Sequence, residues 1–440
     1  MNPIATYEQA EAYLLGTIDE VVSRRTSYKL DRIRAFLSEL GDPHLAYPTI
    51  HVGGTSGKGS TATMIAAALR AAGRKTGLHT KPHLRSMTER ARIDGAAIAP
   101  DRFAAVLDAM TPAIERTTAR FGRPTYYETL LALAFLYFAQ ERVDVAVIEV
   151  GLGGRLDGTN VVEPQVAAIT SVGFDHTDVL GDTIEEIALE KAGIAKAGVP
   201  LVVAAVPPAA SAVIERYAAE VGAPVVRVAE SVRVRAGESE RFGEQVLHVE
   251  CARGAFSLRL GVLGVFQRAN AATAVAVLDQ LGAALRPSLE AIARGFAQLT
   301  IPGRMELVSR NPVVVFDIAH NAEKAESLVA SLRESFPGRR VHYVVAIGES
   351  KDALRIVEAL ASLPSTFTFT SFEARGRRAI APERLAAMAQ SLRTWGRAVR
   401  DPIEAVTVAR RTAEIDDVVV VTGSTFVVAG LREWYVLSMV

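Results

Sequence analysis

Between residues 51 and 64 the chain reads HVGGTSGKGSTATM, with glycines at 53, 54, 57 and 59, a lysine at 58 and hydroxyls at 55, 56, 60 and 61. Those residue types suit one kind of chemistry. Gly54, Gly57 and Gly59 let the backbone come close to an anion with its N–H groups turned inward. Lys58 has the reach for a β- or γ-phosphate, and Ser60 and Thr61 put hydroxyls where a phosphate or a metal ion would sit. The usual phosphate-loop spacing is G-x-x-x-x-G-K-[ST]. This segment misses it twice, with Val52 in place of the first glycine and Gly59 between Lys58 and Ser60. A plain strand-to-helix turn with a solvated lysine is the competing reading.

The surrounding elements favour the phosphate. TIHVGG is a short apolar run that reads as a buried strand, and STATMIAAALRAAG reads as a helix. A loop between strand and helix N-terminus is where backbone amides and helix dipole converge on an anion. The pattern repeats in VDVAVIEVG, QVAAITSVG and VPLVVAAV, continuous apolar strands between Ala/Leu/Glu-rich helices such as ETLLALAFLYFAQE. Such runs predict a mostly parallel sheet with helices on both faces. Glu149 closes one of these strands just before a glycine-rich loop, where a carboxylate projects from the carboxyl edge of the sheet. From about residue 230 the texture alternates, SVRVRAGESERFGEQVLHVECARGAFSLRL, and predicts antiparallel strands. Strand–helix alternation resumes after QLTIPGR. The expected division is therefore a first domain over 1–298 and a smaller, Rossmann-like α/β domain over 299–440.

Composition excludes several classes. With 440 residues, 49% apolar and 22% charged, the chain is long enough for two ordinary globular cores. Lys+Arg equals Asp+Glu at 49 each, which removes a broad electrostatic case for nucleic acid or a membrane surface. A single cysteine, Cys251, rules out an internal disulfide and a cysteine-built zinc site and fits a reducing cytosol. The first residues, MNPIATYEQAEAYLL, lack the cationic and apolar regions of a signal peptide, and no apolar run of ~20 residues is present to span a bilayer. A cytoplasmic protein is expected.

GTSGKGST resembles the G-T-x-G-K-[GT]-[ST] loop of the Mur ligase superfamily, whose own spacing accounts for the absent first glycine. TYYETLLALAF, IEVGLGGRLDGTN, ITSVGFDHTDVLGDTIEEIALEKAGI, FQRANAATA, PGRMELV and VVVFDIAHN are similar to the folylpolyglutamate synthase/dihydrofolate synthase branch. They occur in that branch's order, from about residue 25 to 425.

The resemblance implies an ATP-dependent amide ligase. ATP phosphorylates a carboxylate of a folate, or of dihydropteroate, and the amine of L-glutamate displaces the phosphate. A carboxylate is a poor electrophile, and phosphorylation converts its oxygen into a leaving group. Two anions must meet, so cations are required to suppress their repulsion. The resemblance assigns Gly54 to Thr61 (Gly54, Thr55, Ser56, Gly57, Lys58, Gly59, Ser60 and Thr61) to ATP, together with Gln267, Asn270, Arg304, Asp317 and His320. It makes Ser60, Glu149, His176 and a carbamylated Lys191 the ligands of one or two Mg²⁺ ions, and Lys58, Glu149, His176 and Lys191 the catalytic set. Arg155, Asp157, Lys81 and Asn321 fall to the substrates. Each has a plainer alternative: a strand-end acid for Glu149, a capping residue for His176 or Asn270, a surface charge for Lys191 or Arg304, a helix N-cap cluster for Asp317, His320 and Asn321. A monomer is expected, with small-molecule partners only.

Four departures stand out. Ser56 replaces a common asparagine, DIAHNAEK lacks the proline that often follows AHN, and GESKDALRI keeps part of a D-K-D string. The largest departure is in HTKPHL, where Lys81 occupies the place of a serine that, by the resemblance, helps ligate magnesium. Two other readings follow: a Mur-type ligase for a different carboxylate acceptor, or a nucleotide-binding protein with a decayed site. With only ~50 residues ahead of the loop, well short of a normal domain, a UDP-binding domain is not expected there.

Overall fold

The computed structural model describes residues 3–18, 30–239, 242–374 and 376–437. The stretch near residue 25, where the family resemblance begins, lies outside them. The chain forms two compact units. The first takes residues up to Gly237, Leu247–Arg259 and Ala269–Leu299, and the second takes Glu238–Val246, Leu260–Arg268 and Thr300–Val440. The main division thus falls between Leu299 and Thr300, and two short segments ahead of it group with the second unit.

The first unit is built on strands β1 (Thr49–Gly53), β2 (Thr76–His79), β3 (Arg92–Ile93), β4 (Ala96–Ala97), β5 (Val145–Glu149), β6 (Pro164–Ile169), β7 (Leu201–Val203) and β8 (Val225–Arg227). Their order across the sheet is β4-β3-β2-β5-β1-β6-β7-β8. All neighbours are parallel except β2 with β3 and β3 with β4. Every residue of β1 and β5 is buried. Alternate side chains of a strand point to opposite faces, so both faces are covered, as the continuous apolar runs require. One cover is the helix Lys58–Ala71, against which the helix Leu289–Ala297 packs so closely that a Cβ on Gly295 would lie 2.6 Å from the Ala67 carbonyl oxygen.

The register fixes what this sheet presents. Val52 pairs with Glu149 on one side and with Ala168 on the other, and Gly53 pairs with Ile169. β1, β5 and β6 therefore end level with one another. The loops that follow them, and the one that follows β2, leave from the same carboxyl edge, the place where open α/β sheets bind ligands.

The alternating stretch after residue 230 forms β9 (Val232–Gly237), β10 (Gln245–Cys251) and β11 (Gly254–Leu260), a three-stranded sheet in the order β11-β10-β9. The second unit carries β12 (Glu306–Arg310), β13 (Val313–Phe316), β14 (Val341–Val345), β15 (Ser365–Phe369), β16 (Gly396–Ala398) and β17 (Val418–Thr422), ordered β12-β13-β17-β14-β15-β16. Only β12 runs antiparallel to its neighbour. Valines and aromatics of β13, β14, β15 and β17, with Tyr343, Phe367 and Phe369 fully buried, make its core.

Candidate active site

The phosphate-type loop sits between β1 and the helix Lys58–Ala71, as its sequence predicts. Two of its glycines are structurally obligatory. Gly54 has φ 134°, and a Cβ there would lie 2.2 Å from Thr170 Oγ1; Gly57 has φ 83°, and a Cβ there would lie 2.3 Å from Asn270 Oδ1. No L side chain adopts these angles without strain, and no neighbour leaves room. Asn270, a buried residue of the helix Phe266–Asp279, is thereby placed directly over the loop.

What holds the loop is a segment whose role the motif does not reveal, the TSVG that follows β6. Ser171 accepts the Thr55 N–H at its carbonyl (2.9 Å) and the Ser56 N–H at its hydroxyl (2.8 Å). The Thr170 hydroxyl donates to the Ser56 carbonyl at 2.6 Å, and Thr55 Oγ1 accepts the Gly173 N–H at 3.0 Å. Backbone groups that would otherwise wander are satisfied internally, so the loop is shaped before a ligand arrives. The signal was present in the sequence: two hydroxyl residues just past a buried strand. Their partner, 114 to 115 residues away, was not. Lys58 folds back on its own loop, its Nζ donating to the carbonyls of Gly54 (2.8 Å) and Thr55 (3.0 Å). Ser60 and Thr61 are buried at the start of the helix.

Glu149, at the end of β5, is only 3% exposed. Its Oε2 accepts the Lys81 main-chain N–H at 2.9 Å and would lie 3.1 Å from a Cβ on Gly59. A buried carboxylate is thus brought against the first turn of the loop's helix. Lys191 is 2% exposed on the helix Ile184–Ala192, not a surface charge. Burial pushes its ammonium down to about 8, with Lys81 acting in the same direction and Asp175 opposing. Lys81 is half-buried, and its ammonium is also shifted down by desolvation, against the pull of Asp157, Glu149 and Asp175. His176 has φ 53° at the cap of the short helix Thr177–Leu180, and its side chain is 55% exposed, with Nε2 3.9 Å from Asp175 Oδ1. The structure thus gathers the loop, Glu149, Lys81, Asp175 and Lys191 into one electrostatic neighbourhood, with His176 exposed beside it.

Arg155 is tied to the helix Ile184–Ala192 and Asp157 mostly to its own loop. Arg155 pairs with Glu190 (Nη2–Oε1 2.6 Å) and donates its N–H to the Glu190 carbonyl. Asp157, 5% exposed, accepts the N–H groups of Leu152 (2.7 Å) and Thr159 (3.0 Å) and the hydroxyls of Thr159 (2.6 Å) and Tyr127 (3.2 Å). Its hydrogen bonds make it an organiser of the glycine-rich loop, whereas the sequence reading gives it to substrate. His51, on β1, continues the chain to Thr159 Oγ1 at 2.9 Å, and burial holds its pKa down at about 3, so the ring is neutral. A cavity of about 250 Å³ nearby is lined by Leu152, Leu156, Leu180, Leu189, Arg155 and Glu190.

In the second unit, Asp317 follows β13 and accepts the N–H groups of Met305 (2.9 Å) and Ala319 (2.8 Å). Burial raises its carboxyl, with Arg304 and Lys324 pulling the other way. His320 is pushed down to about 4 by desolvation and by Lys324, Lys351 and Arg304; its Nδ1 lies 2.9 Å from the Ile318 carbonyl oxygen and its Nε2 3.3 Å from Lys324 Nζ. Asn321 caps the helix Ala322–Ser335 by accepting the Lys324 N–H. Gln267 is fully buried in the first turn of Phe266–Asp279.

Among the described residues no three His, Cys, Asp or Glu side chains converge as a metal cage. A magnesium-type ion keeps several of its waters and takes one or two carboxylates plus substrate phosphates. Glu149, buried against Gly59, and Ser60, the next residue of the loop's helix, are oxygen donors of the kind such an ion takes.

A phosphate loop at the carboxyl edge of a parallel sheet, with a buried carboxylate beside it, in a chain that also carries a second α/β unit, is the arrangement of a Mur-type ligase. Residues 52–278 match the Mur ligase middle domain and residues 303–425 the Mur ligase glutamate ligase domain. The chain is 34% identical over 431 residues to the dihydrofolate synthase/folylpolyglutamate synthase of Bacillus subtilis, covering 97% of this chain and 98% of the relative. It also superposes on Escherichia coli FolC in complex with DHPP and ADP (TM-score 0.87, 30% identity, 100% of each chain). A third match is the Yersinia pestis bifunctional folylpolyglutamate synthase/dihydrofolate synthase complexed with AMPPNP and Mn ion (TM-score 0.83, 31% identity, 99% of each chain). The chain belongs to the folylpolyglutamate synthase/dihydrofolate synthase family.

Proposed function

We propose that this ATP-dependent acid–amino-acid ligase adds L-glutamate to folates and, as a second activity, to dihydropteroate. The observation that carries the reading is the pairing of a preshaped phosphate loop with buried Glu149 on one sheet edge. Relatives solved with ADP and DHPP, and with AMPPNP and Mn, support a nucleotide, a folate-type ligand and a divalent ion. Mg²⁺ is the ion assigned here, held by Ser60 and Glu149, and the working form is a monomer.

The chemistry runs in two steps. A substrate carboxylate oxygen attacks the γ-phosphorus of ATP, the β–γ bridging bond breaks, and ADP leaves, giving an acyl phosphate. The neutral amine of glutamate then attacks the acyl carbon, loses a proton and expels inorganic phosphate, leaving an amide. Lys58 turns from the Gly54 and Thr55 carbonyls to the phosphoryl oxygens, and the N–H groups of residues 57–60 hold the β-phosphate against the helix N-terminus. Bound divalent metal neutralises charge on the transferring phosphoryl group. Asn270 and Gln267 are assigned to the adenine side, Arg304, Asp317 and His320 to the nucleotide as well, and Asn321 to the glutamate side.

Lys191 is assigned as a carbamate: its neutral amine adds to CO₂, releasing one proton and turning a buried cation into an anion. A buried ammonium held down at about 8 leaves the neutral amine within reach near neutral pH. Intact-protein mass spectrometry at neutral pH is expected to show the mass of one CO₂, lost on acidification and absent from Lys191→Met. An unmodified lysine in turning-over enzyme would remove this assignment.

The function itself is tested by incubating the protein with ATP, Mg²⁺, glutamate and either tetrahydrofolate or dihydropteroate, following ADP and product mass. A glutamylated product is expected. Tight ATP binding without turnover on any acceptor would instead support a decayed site, and ADP release with another carboxylate acceptor but with neither pterin a different substrate.

A further inference from the structure

The turn at the start of the second unit, just ahead of β12, is strained. Arg304 stands between two residues in left-handed conformation, Gly303 at φ 65° and Met305 at φ 48°. Glycine adopts such an angle freely, whereas methionine does so only where the surroundings impose it. Three hydrogen bonds impose it here. The Gly303 carbonyl accepts the Ile318 N–H (2.9 Å), the Met305 N–H donates to Asp317 Oδ2 (2.9 Å), and the Gly303 N–H donates to Glu306 Oε2 (2.8 Å). The first two partners come from the segment after β13. The third is the first residue of β12, only three positions along the chain, and a side chain so close in sequence moves with the turn it holds. What fixes it lies 126 residues further on. Arg432, on the helix Thr425–Leu437, grips both carboxylate oxygens of Glu306, with Nε 2.8 Å from Oε2 and Nη2 2.8 Å from Oε1. All of these residues belong to the second unit.

The ion pair is not what docks that helix. Val427, Val428, Leu431 and Tyr435 are buried, and the Tyr435 ring meets Phe316 of β13 edge-on at 5.7 Å. An apolar stripe therefore seats the helix on the sheet. The Arg432 side chain stays 31% exposed, and an ion pair this close to solvent adds little to stability. Its two-point geometry does something else: it fixes the position of a carboxylate. We infer that Glu306 and Arg432 are positioning residues for the nucleotide step, the pair locking the turn and the turn setting the line along which Arg304 leaves the backbone. The inference rests on the assignment of Arg304 to ATP in the ligase reading above. A long side chain amplifies any rotation of its own backbone, and a misplacement of ~1 Å at a charged group that faces a phosphate lowers the rate.

A double-mutant cycle on the full chain tests this, read as ADP release against ATP concentration with glutamate and tetrahydrofolate saturating. Arg304→Gln is expected to lower kcat/KM for ATP by about 10²-fold, and Arg432→Met by about 10-fold with the melting temperature nearly unchanged. In the Arg304→Gln background, Arg432→Met is expected to change the kinetics no further, because a residue that acts through Arg304 has nothing left to aim. Arg432→Lys, which keeps the charge and loses the two-point grip, serves if the methionine variant does not fold, and should behave in the same way. An Arg432 variant that lowers the melting temperature and leaves kcat/KM unaltered overturns the inference, and so do effects that multiply in the double variant. Native kinetics in Arg304→Gln overturn the assignment of Arg304 and this inference with it, while the ligase reading stands. Absence of ADP release from the unaltered chain overturns that reading as well.

Discussion

Lys58→Ala is expected to lower ADP release, measured with glutamate and a folate acceptor present, by about 10²–10³-fold, the loss seen when one preorganised donor to developing negative charge is removed. The effect falls on the phosphoryl transfer step, so kcat drops more than the KM for ATP rises. The Lys58 ammonium donates to two loop carbonyls, those of Gly54 and Thr55. Its removal leaves two loop acceptors without this donor, at a stability cost of about 1 kcal/mol. The loop itself is held by other groups, Thr170 and Ser171. Loss of turnover with an almost unchanged melting temperature is therefore the signature. Lys58→Arg should recover little, because a planar guanidinium cannot follow the path of a compact ammonium between loop and phosphate. ADP release within a few-fold of the unaltered enzyme would show that the lysine does not face the transferring group.

Much of this site was legible in the sequence, and the parts that were not share a cause. The phosphate loop, the strand that ends in Glu149, the parallel sheet and the antiparallel stretch after residue 230 all follow from local spacing and periodicity. Lys191 did not. EEIALEKAGI has the pattern of a helix with a charged outer face, yet the residue is almost fully buried. Which side of a short helix faces the protein is decided by neighbours distant in sequence. The clamp of Thr170 and Ser171 on the loop spans more than a hundred residues and could not be read from either segment alone. The same holds for Glu238–Val246 and Leu260–Arg268: nothing in their local pattern shows that they group with the second unit. Asn321 illustrates the opposite case, where the plain reading as a helix N-cap is what the geometry shows, its side chain accepting the Lys324 N–H. His176 lies between, a cap residue in left-handed conformation with an exposed ring beside Asp175.

Asp157→Ala is expected to cost the glycine-rich loop about 3 kcal/mol, and the reason separates an organiser from a substrate contact. Four donors converge on this carboxylate: two main-chain N–H groups, the Thr159 hydroxyl and the Tyr127 hydroxyl. Alanine accepts none of them. A buried donor left unsatisfied costs about 1–3 kcal/mol, but the two hydroxyls rotate and Tyr127 finds water, so the main-chain groups of Leu152 and Thr159 dominate. Thr159 is also where His51 ends its hydrogen bond, so the disturbance reaches β1 immediately before the phosphate loop. Asp157→Asn should cost about half as much. Its remaining oxygen can serve Thr159, while its amide faces the Leu152 N–H donor to donor. Hydrogen exchange over residues 151–160 reads the difference locally. The amides of Leu152 and Thr159 are expected to exchange about 10²-fold faster in the alanine variant, since 1.4 kcal/mol is a factor of ten, and about 10-fold faster in the asparagine variant. Turnover should fall in the same order, with kcat and KM both affected because the loop is displaced rather than one contact deleted. A variant with native exchange rates and a raised KM for the folate alone would mean that Asp157 touches substrate and that its four hydrogen bonds are dispensable to the loop.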